Sequence, residues 1–442
     1  MSMKALKLAL AAVGGMVIAS PMALAQAPNE QFIPLLSYRT GAYAVNGIPW
    51  ANGVSDYFNL INERDGGING VRIAFEECET GYATDKGVEC YERLKGKGAT
   101  GAAFFNPLST GITFALTEKT LADKIPIITM GYGRADSKNG AVFAWNFPFL
   151  GTYWSGADIA MQHVAKEMGG EDKLKGKKIA IVYHDSPYGK EPIPTLQVLA
   201  KKFGFTLMEL PVTHPGVEQK STWLQIRQNR PDYVLLWGWG VMNGTSVKEA
   251  AAVAYPRDKV IGVWWSGAEP DVAPAGDQAI GYKALTLGES GAGEYAVHAA
   301  LKQHVYAKGK GIAKDDFAQV LYNRGMINAM LGIEGIRKAM TRYGNKPLTG
   351  EQIRWGLENL DLTAERIKEL GFAGMLTPVK ITCNDHEGAR SARVQQWDGK
   401  QWKMISDMYT ARQENTEPLV KEVSAKYAEE KKITARDCSK PD

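Results

Sequence analysis

Alternation between two hydrophobic periods constrains this chain more than any other feature. Residues 32–36 (Phe-Ile-Pro-Leu-Leu) form a short apolar run, and Trp50, Val54, Phe58 and Ile61 then recur at helical spacing. That helix stops at Asp65-Gly66-Gly67, and residues 71–75 (Val-Arg-Ile-Ala-Phe) open the next strand. Residues 102–105 and 125–128 continue the rhythm. It restarts at 178–183, then at 233–237 and 260–264. Strands apolar on both faces, each followed by a helix, form parallel sheets covered on both sides. Two such series predict an α/β chain of two doubly wound lobes.

The remainder of the sequence refines that plan. Residues 285–375 are strongly helical, and Thr349 and Gln352 form a capping-box pattern ahead of Ile353, Leu357 and Leu360. Residues 392–397 and 402–405 predict a β-hairpin around a tight Asp398-Gly399 turn. No low-complexity linker separates the two series, so several crossings are expected in place of one tether. The expected division is 26–148 with 286–385 for the first lobe, and 149–285 with 386–442 for the second. A length of 442 residues, 45% of them hydrophobic, suffices for two such cores.

The first 25 residues have a different character. Lys4 and Lys7 precede an apolar stretch of about 11 residues, and Ala23-Leu24-Ala25 supplies small residues at −3 and −1. This pattern predicts a secretory signal peptide cleaved after Ala25; the stretch is too short for a spanning helix. Without the two leader lysines the net charge falls from +4 to +2. The charges are dispersed along the chain, so no nucleic-acid partner is expected.

Export makes the cysteines informative. Cys78, Cys90, Cys383 and Cys438 form a near pair and a distant pair. Of three connectivities, Cys78–Cys90 and Cys383–Cys438 are favoured, as structural disulfides of an oxidising compartment. No CxxC or paired-histidine spacing predicts a metal. No nucleophile elbow, HExxH, P-loop or dinucleotide fingerprint is present, so neither catalysis nor a cofactor is expected. The one polar cluster, Asn384-Asp385-His386-Glu387, reads as a solvated turn bonding its own backbone, with a metal or acid–base site as the rival.

Aromatic and hydroxyl residues recur just beyond strand C-termini, where open α/β sheets bind ligands. Tyr38, Arg39 and Tyr43 follow the first strand. Asn106, Ser109 and Thr110 follow the 102–105 run, at an expected helix start suited to an anion. Tyr132, Tyr188 and Trp239 each follow a later strand, as do Ser266 and Glu269 after Trp264-Trp265.

Residues 61–70 (Ile-Asn-Glu-Arg-Asp-Gly-Gly-Ile-Asn-Gly), Asp185-Ser186-Pro187-Tyr188-Gly189 and Arg230-Pro231-Asp232-Tyr233-Val234 carry a family resemblance. Nearly the whole mature chain, in order, resembles the bacterial periplasmic leucine/isoleucine/valine-binding proteins. That resemblance implies a type I periplasmic binding fold: two Rossmann-like lobes, three crossing strands and a ligand in the cleft between. It implies a periplasmic monomer that binds a small molecule without chemistry and delivers it to an ABC importer's permease and ATPase. The alternative is a ligand-sensing receptor module with the same fold.

Position by position, Ser109 and Thr110 match the loop that grips the ligand's carboxylate, although Pro107 and Leu108 replace part of its hydroxyl run. Tyr132 falls in the loop supplying backbone contacts, Tyr188 matches the tyrosine that closes over the ligand, and Trp239 matches a second-lobe aromatic. Family members that bind amino acids carry an acid facing the α-ammonium. Here Ser266-Gly267 stand at that position and Glu269 comes two or three residues later. The family's usual partner for the first cysteine lies near Phe105, not at Cys90. The expected ligand is a carboxylate-bearing molecule, with Arg39 or the Ser109–Thr110 loop as its partner. An aromatic or other organic acid is favoured over an amino acid.

Overall fold

A computed structural model describes residues 29–288, 291 and 293–440. The expected leader peptide and its cleavage point lie outside the described residues. Strand β1 (Glu30–Ser37) pairs in parallel with β2 (Arg72–Glu79). On the other side of β1, the Ala103 N–H donates to the Phe32 carbonyl at 2.9 Å. Phe105 then bridges to Ile127, and β3 (Ile127–Ile128) pairs in parallel with β4 (Asn146–Phe147). The 102–105 run thus occupies the third place in the sheet through single bonds. Gly101 at φ +78° precedes it and Leu108 at φ +45° follows.

The second sheet repeats the plan. Strands β5 (Lys178–His184), β6 (Thr206–Val212), β7 (Tyr233–Trp237), β8 (Val260–Gly262) and β9 (Lys283–Thr286) are parallel, in spatial order β6-β5-β7-β8-β9. Both sheets therefore wind in the order 2-1-3-4-5. A small antiparallel ribbon of β10 (Asp361–Leu362) and β11 (Val379–Lys380) lies apart. The hairpin β12 (Ser391–Trp397) and β13 (Trp402–Met404) joins the second sheet antiparallel to β9, with β14 (Tyr409–Thr410) on β12.

Three local features differ from expectation. The 260–264 strand ends at Gly262, because Trp264–Ser266 turns into a 3-10 segment. The hairpin forms, but its reversal spans Asp398–Gln401: the Asp398 N–H donates to the Gln401 carbonyl at 3.2 Å. The Asp398 carboxylate accepts from the N–H groups of Lys400 and Gln401, so Asp398 flanks the turn. The third difference is that His386 and Glu387 are fully buried, so the 384–387 cluster is not a solvated turn. Asp385 does accept from the Glu387 and Gly388 N–H groups, as a turn would.

Helix α1 (Ala44–Asp65) packs along the helix Val320–Tyr343 with almost no gap. A Cβ at Gly53 would meet the Tyr322 carbonyl, and one at Gly325 the Trp50 carbonyl, so glycine alone permits that approach. The helix Gly350–Glu358 carries the predicted capping box at Thr349 and Gln352. Helices α2 (Thr84–Leu94), α3 (Thr110–Asp123) and α4 (Tyr153–Met168) follow β2, the 102–105 run and β4. Cys78 is bonded to Cys90 and Cys383 to Cys438. The chain passes between the sheets after β4, after β9 and again ahead of β12.

Candidate ligand-binding site

In a 2-1-3-4-5 sheet the loops leaving the first and third strands run in opposite directions, opening a crevice beyond the strand carboxyl ends. Both sheets present such a crevice, and a pocket lies where they meet. Loops and helix starts belonging to the first sheet supply Tyr82, Leu108, Ser109, Thr110 and Tyr132. Those of the second supply Tyr153, Tyr188, Trp239 and Trp265. Six of these nine residues are aromatic, and none carries a charge.

The rings stand at steep angles to one another. Trp239 and Trp265 meet at 83° with centroids 5.5 Å apart, and Tyr132 meets Trp265 at 73° and 5.9 Å. Tyr153 and Tyr188 lie 5.2 Å apart. Edge-to-face pairs of this kind hold one another in place. Most of their polar tips are satisfied by protein. The Trp239 indole N–H donates to the Tyr38 hydroxyl at 3.0 Å, which donates to the Leu108 carbonyl at 3.2 Å. The indoles of Trp264 and Trp265 both donate to the Gly131 carbonyl, at 2.6 and 2.8 Å. Tyr188 donates to the Gly238 carbonyl at 2.8 Å. Tyr132 donates to Asn106 Oδ1 and accepts from the Leu108 N–H at 2.7 Å. Several of these bonds run from one sheet's loops to the other's.

One end of the cavity is different. Ser109 caps α3, its backbone extended and its Oγ accepting from the Ile112 N–H at 3.4 Å. Tyr82 and Tyr153 line the cavity together with Ser109 and Thr110, and their hydroxyls lie close to those two side chains, respectively. Four hydroxyls thus gather at the positive end of a helix, a place that favours an anion. Burial raises the phenols of Tyr38, Tyr82, Tyr132, Tyr153 and Tyr188 well above their ordinary range, so all five remain neutral.

The other expected site residues sit elsewhere. Tyr38, Asn106 and Ser266 lie behind the walls, Ser266 sharing the Gly238 carbonyl with Tyr188. Arg39 is turned toward Glu77 and Asn52, at 2.5 and 2.7 Å. Tyr43 contributes to an adjoining chamber, bonded to His184 Nε2 at 2.7 Å; burial and the stacked His214 bring the His184 pKa down to about 4. Glu269 faces the Val320 N–H at 3.1 Å, and burial raises its pKa to about 7. Asp271, raised by burial to about 6, accepts from Asn46, Asn243 and the Ala268 N–H.

Sequence reasoning did not single out Tyr82, Leu108, Tyr153 or Trp265 as site residues. Tyr82 follows β2, and the rule that found Tyr38 extends to it. Tyr153 opens a helix after a crossing, where no strand-end rule points. In the 384–387 cluster, His386 bonds the Asn146 carbonyl at 2.7 Å and Glu358 at 3.2 Å. Glu387 holds the Thr152 N–H at 2.8 Å and the Ser155 hydroxyl, and faces Lys138 at 3.4 Å. Both side chains fasten a crossing, and neither lines the cavity.

Over residues 30–401 the chain matches the family model described as Periplasmic binding protein. A solved chain from the Pseudomonas fluorescens group, described as an ABC transporter permease, is 44% identical. It superposes with a TM-score of 0.86, covering 93% of this chain and 100% of that one. A branched chain amino acid ABC transporter from Thermus thermophilus with bound valine is 20% identical, with a TM-score of 0.72 over 89% of this chain and 99% of that one. An ABC transporter solute binding protein from R. palustris in complex with benzoate is 16% identical, with a TM-score of 0.65 over 87% and 98%. These last two are similar in fold. A comparison with curated proteins returned no match. Among the described residues no helix is long and apolar enough to cross a membrane. The two wound sheets, their crossings and the cleft at their switch points are those of the type I fold, and the chain belongs to the periplasmic binding protein family.

Proposed function

We propose that this protein is the exported solute-binding subunit of an ABC importer, closing on a small organic acid whose body carries no N–H cation. One observation carries the reading: the cavity is walled by six aromatic rings, has hydroxyls at the start of α3, and presents no charged side chain among the described residues. The ligand's carboxylate meets Ser109, Thr110, Tyr82 and Tyr153, and its body lies against Tyr132, Tyr188, Trp239 and Trp265. An α-ammonium would be buried without an acid, at a cost of several kcal/mol. Glu269 and Asp271 are engaged elsewhere.

The lobes divide as 26–148 with 286–385 and 149–285 with 386–442, and binding proceeds by hinge closure, without catalysis. The leader is removed after Ala25, and the partners are a permease and its ATPase. Relatives of the same fold include proteins described with valine, with benzoate and as a fatty acid binder, so the fold leaves the ligand to the walls. A thermal-shift screen of benzoates, phenylacetate, short fatty acids, valine and leucine tests this. A ligand at 100 times its Kd stabilises by ~2.7 kcal/mol. Acids lacking the ammonium should raise Tm and valine and leucine should not; the reverse pattern would overturn the reading.

A further inference from the structure

A cavity with no charged side chain among the described residues discriminates between ligands by net charge. A carboxylate at the start of α3 gains hydroxyls and the helix's positive end, yet among the described residues no Lys or Arg lines the cavity to neutralise it. The Arg324 guanidinium stands outside the lining, over the Trp265 ring at 4.7 Å and donating to the Trp264 carbonyl at 2.7 Å. A ligand bearing its own positive charge would enter at lower cost than a bare anion. That charge must not need hydrogen-bond acceptors, because those around the rings already serve the protein. The Gly131 carbonyl takes two indoles, the Gly238 carbonyl takes Tyr188 and Ser266, and the Leu108 carbonyl takes Tyr38. What remains is ring surface on several walls at steep mutual angles, less the Trp265 face that Arg324 already covers. Aromatic faces attract a cation through their quadrupole and require no hydrogen bond from it.

We propose that the preferred ligand class is a betaine: a carboxylate held at α3, joined to a quaternary ammonium enclosed by Tyr132, Tyr188, Trp239 and Trp265. This inference rests on the solute-binding reading of the same cleft and narrows it to one kind of acid. Such a ligand is neutral overall, matching the uncharged cavity, and offers no N–H group to leave unpaired.

Calorimetry with glycine betaine, 3,3-dimethylbutanoate and N,N-dimethylglycine tests it. The second probe replaces the quaternary nitrogen by carbon at nearly the same shape, and the third restores one N–H. Betaine should bind about tenfold or more tighter than either. In Trp239→Leu the betaine-to-dimethylbutanoate ratio should fall toward one, read alongside thermal unfolding; the wild-type ratio stands without any variant. Equal or tighter binding of 3,3-dimethylbutanoate, or of N,N-dimethylglycine, would overturn the inference, as would no betaine binding at millimolar concentration. Benzoate or phenylacetate binding in the thermal screen would still support the solute-binding reading in that event, so the two failures are distinguishable.

Discussion

At the scale of single residues, the cleft is defined by which polar atoms are already occupied. Trp239 and Trp265 give their N–H groups, and Tyr132 and Tyr188 their hydroxyls, to protein acceptors, so in the proposed site each would meet a ligand with its ring. Truncating such a ring removes contact area and leaves an acceptor unpaired. Tyr188→Ala and Trp239→Ala should each weaken the best ligand from the screen more than tenfold, ~1.4 kcal/mol or above, by calorimetry. Glu269→Gln should change affinity by no more than a few-fold, since its carboxylate faces Val320; loss of binding there would assign it an ammonium. Strand-end reasoning singled out Ser109, Thr110, Tyr132, Tyr188 and Trp239, which the fold gathers around one cavity, because position beyond a strand is a property of the sequence. It also named Arg39, whose direction depends on Glu77 arriving from β2. No local pattern encodes that encounter.

At the scale of elements, most of the alternation was legible. β7 spans the predicted residues, and β5 extends the predicted run by one. β6 was not, because it is an edge strand with Glu209 and Pro211 exposed, so its apolar period is broken. The segment after β5 also carries a contact with a pH signature. The Ala135 N–H donates to Glu191 Oε1 at 3.0 Å, while Oε2 is buried without a partner among the described residues. Burial raises this carboxyl to about 8, with Asp136 adding to the rise and Arg134 opposing it. A carboxyl with a raised folded pKa binds protons on folding, so its effect on stability worsens as pH rises from about 4.5 toward 8. The Tm of the wild type should therefore fall between pH 6 and pH 8.5, and Glu191→Gln should flatten that decline. An identical pH profile in the variant would contradict the assignment.

At the scale of the molecule, two sheets wound in one order place seven loops and helix starts around one cavity, and the crossings join the two sheets. Cys78–Cys90 and Cys383–Cys438 add ties near β2 and at the C-terminal tail. The central claim is that this cavity recognises a carboxylate and rejects a protonated amine beside it. Matched pairs test that directly by calorimetry: valine against 3-methylbutanoate, leucine against 4-methylpentanoate, and phenylalanine against 3-phenylpropanoate. Each pair differs only in the α-ammonium. The account predicts that the amine-free acid binds tighter in every pair that binds, by at least about tenfold; tighter binding of the amino acid in any pair would contradict it.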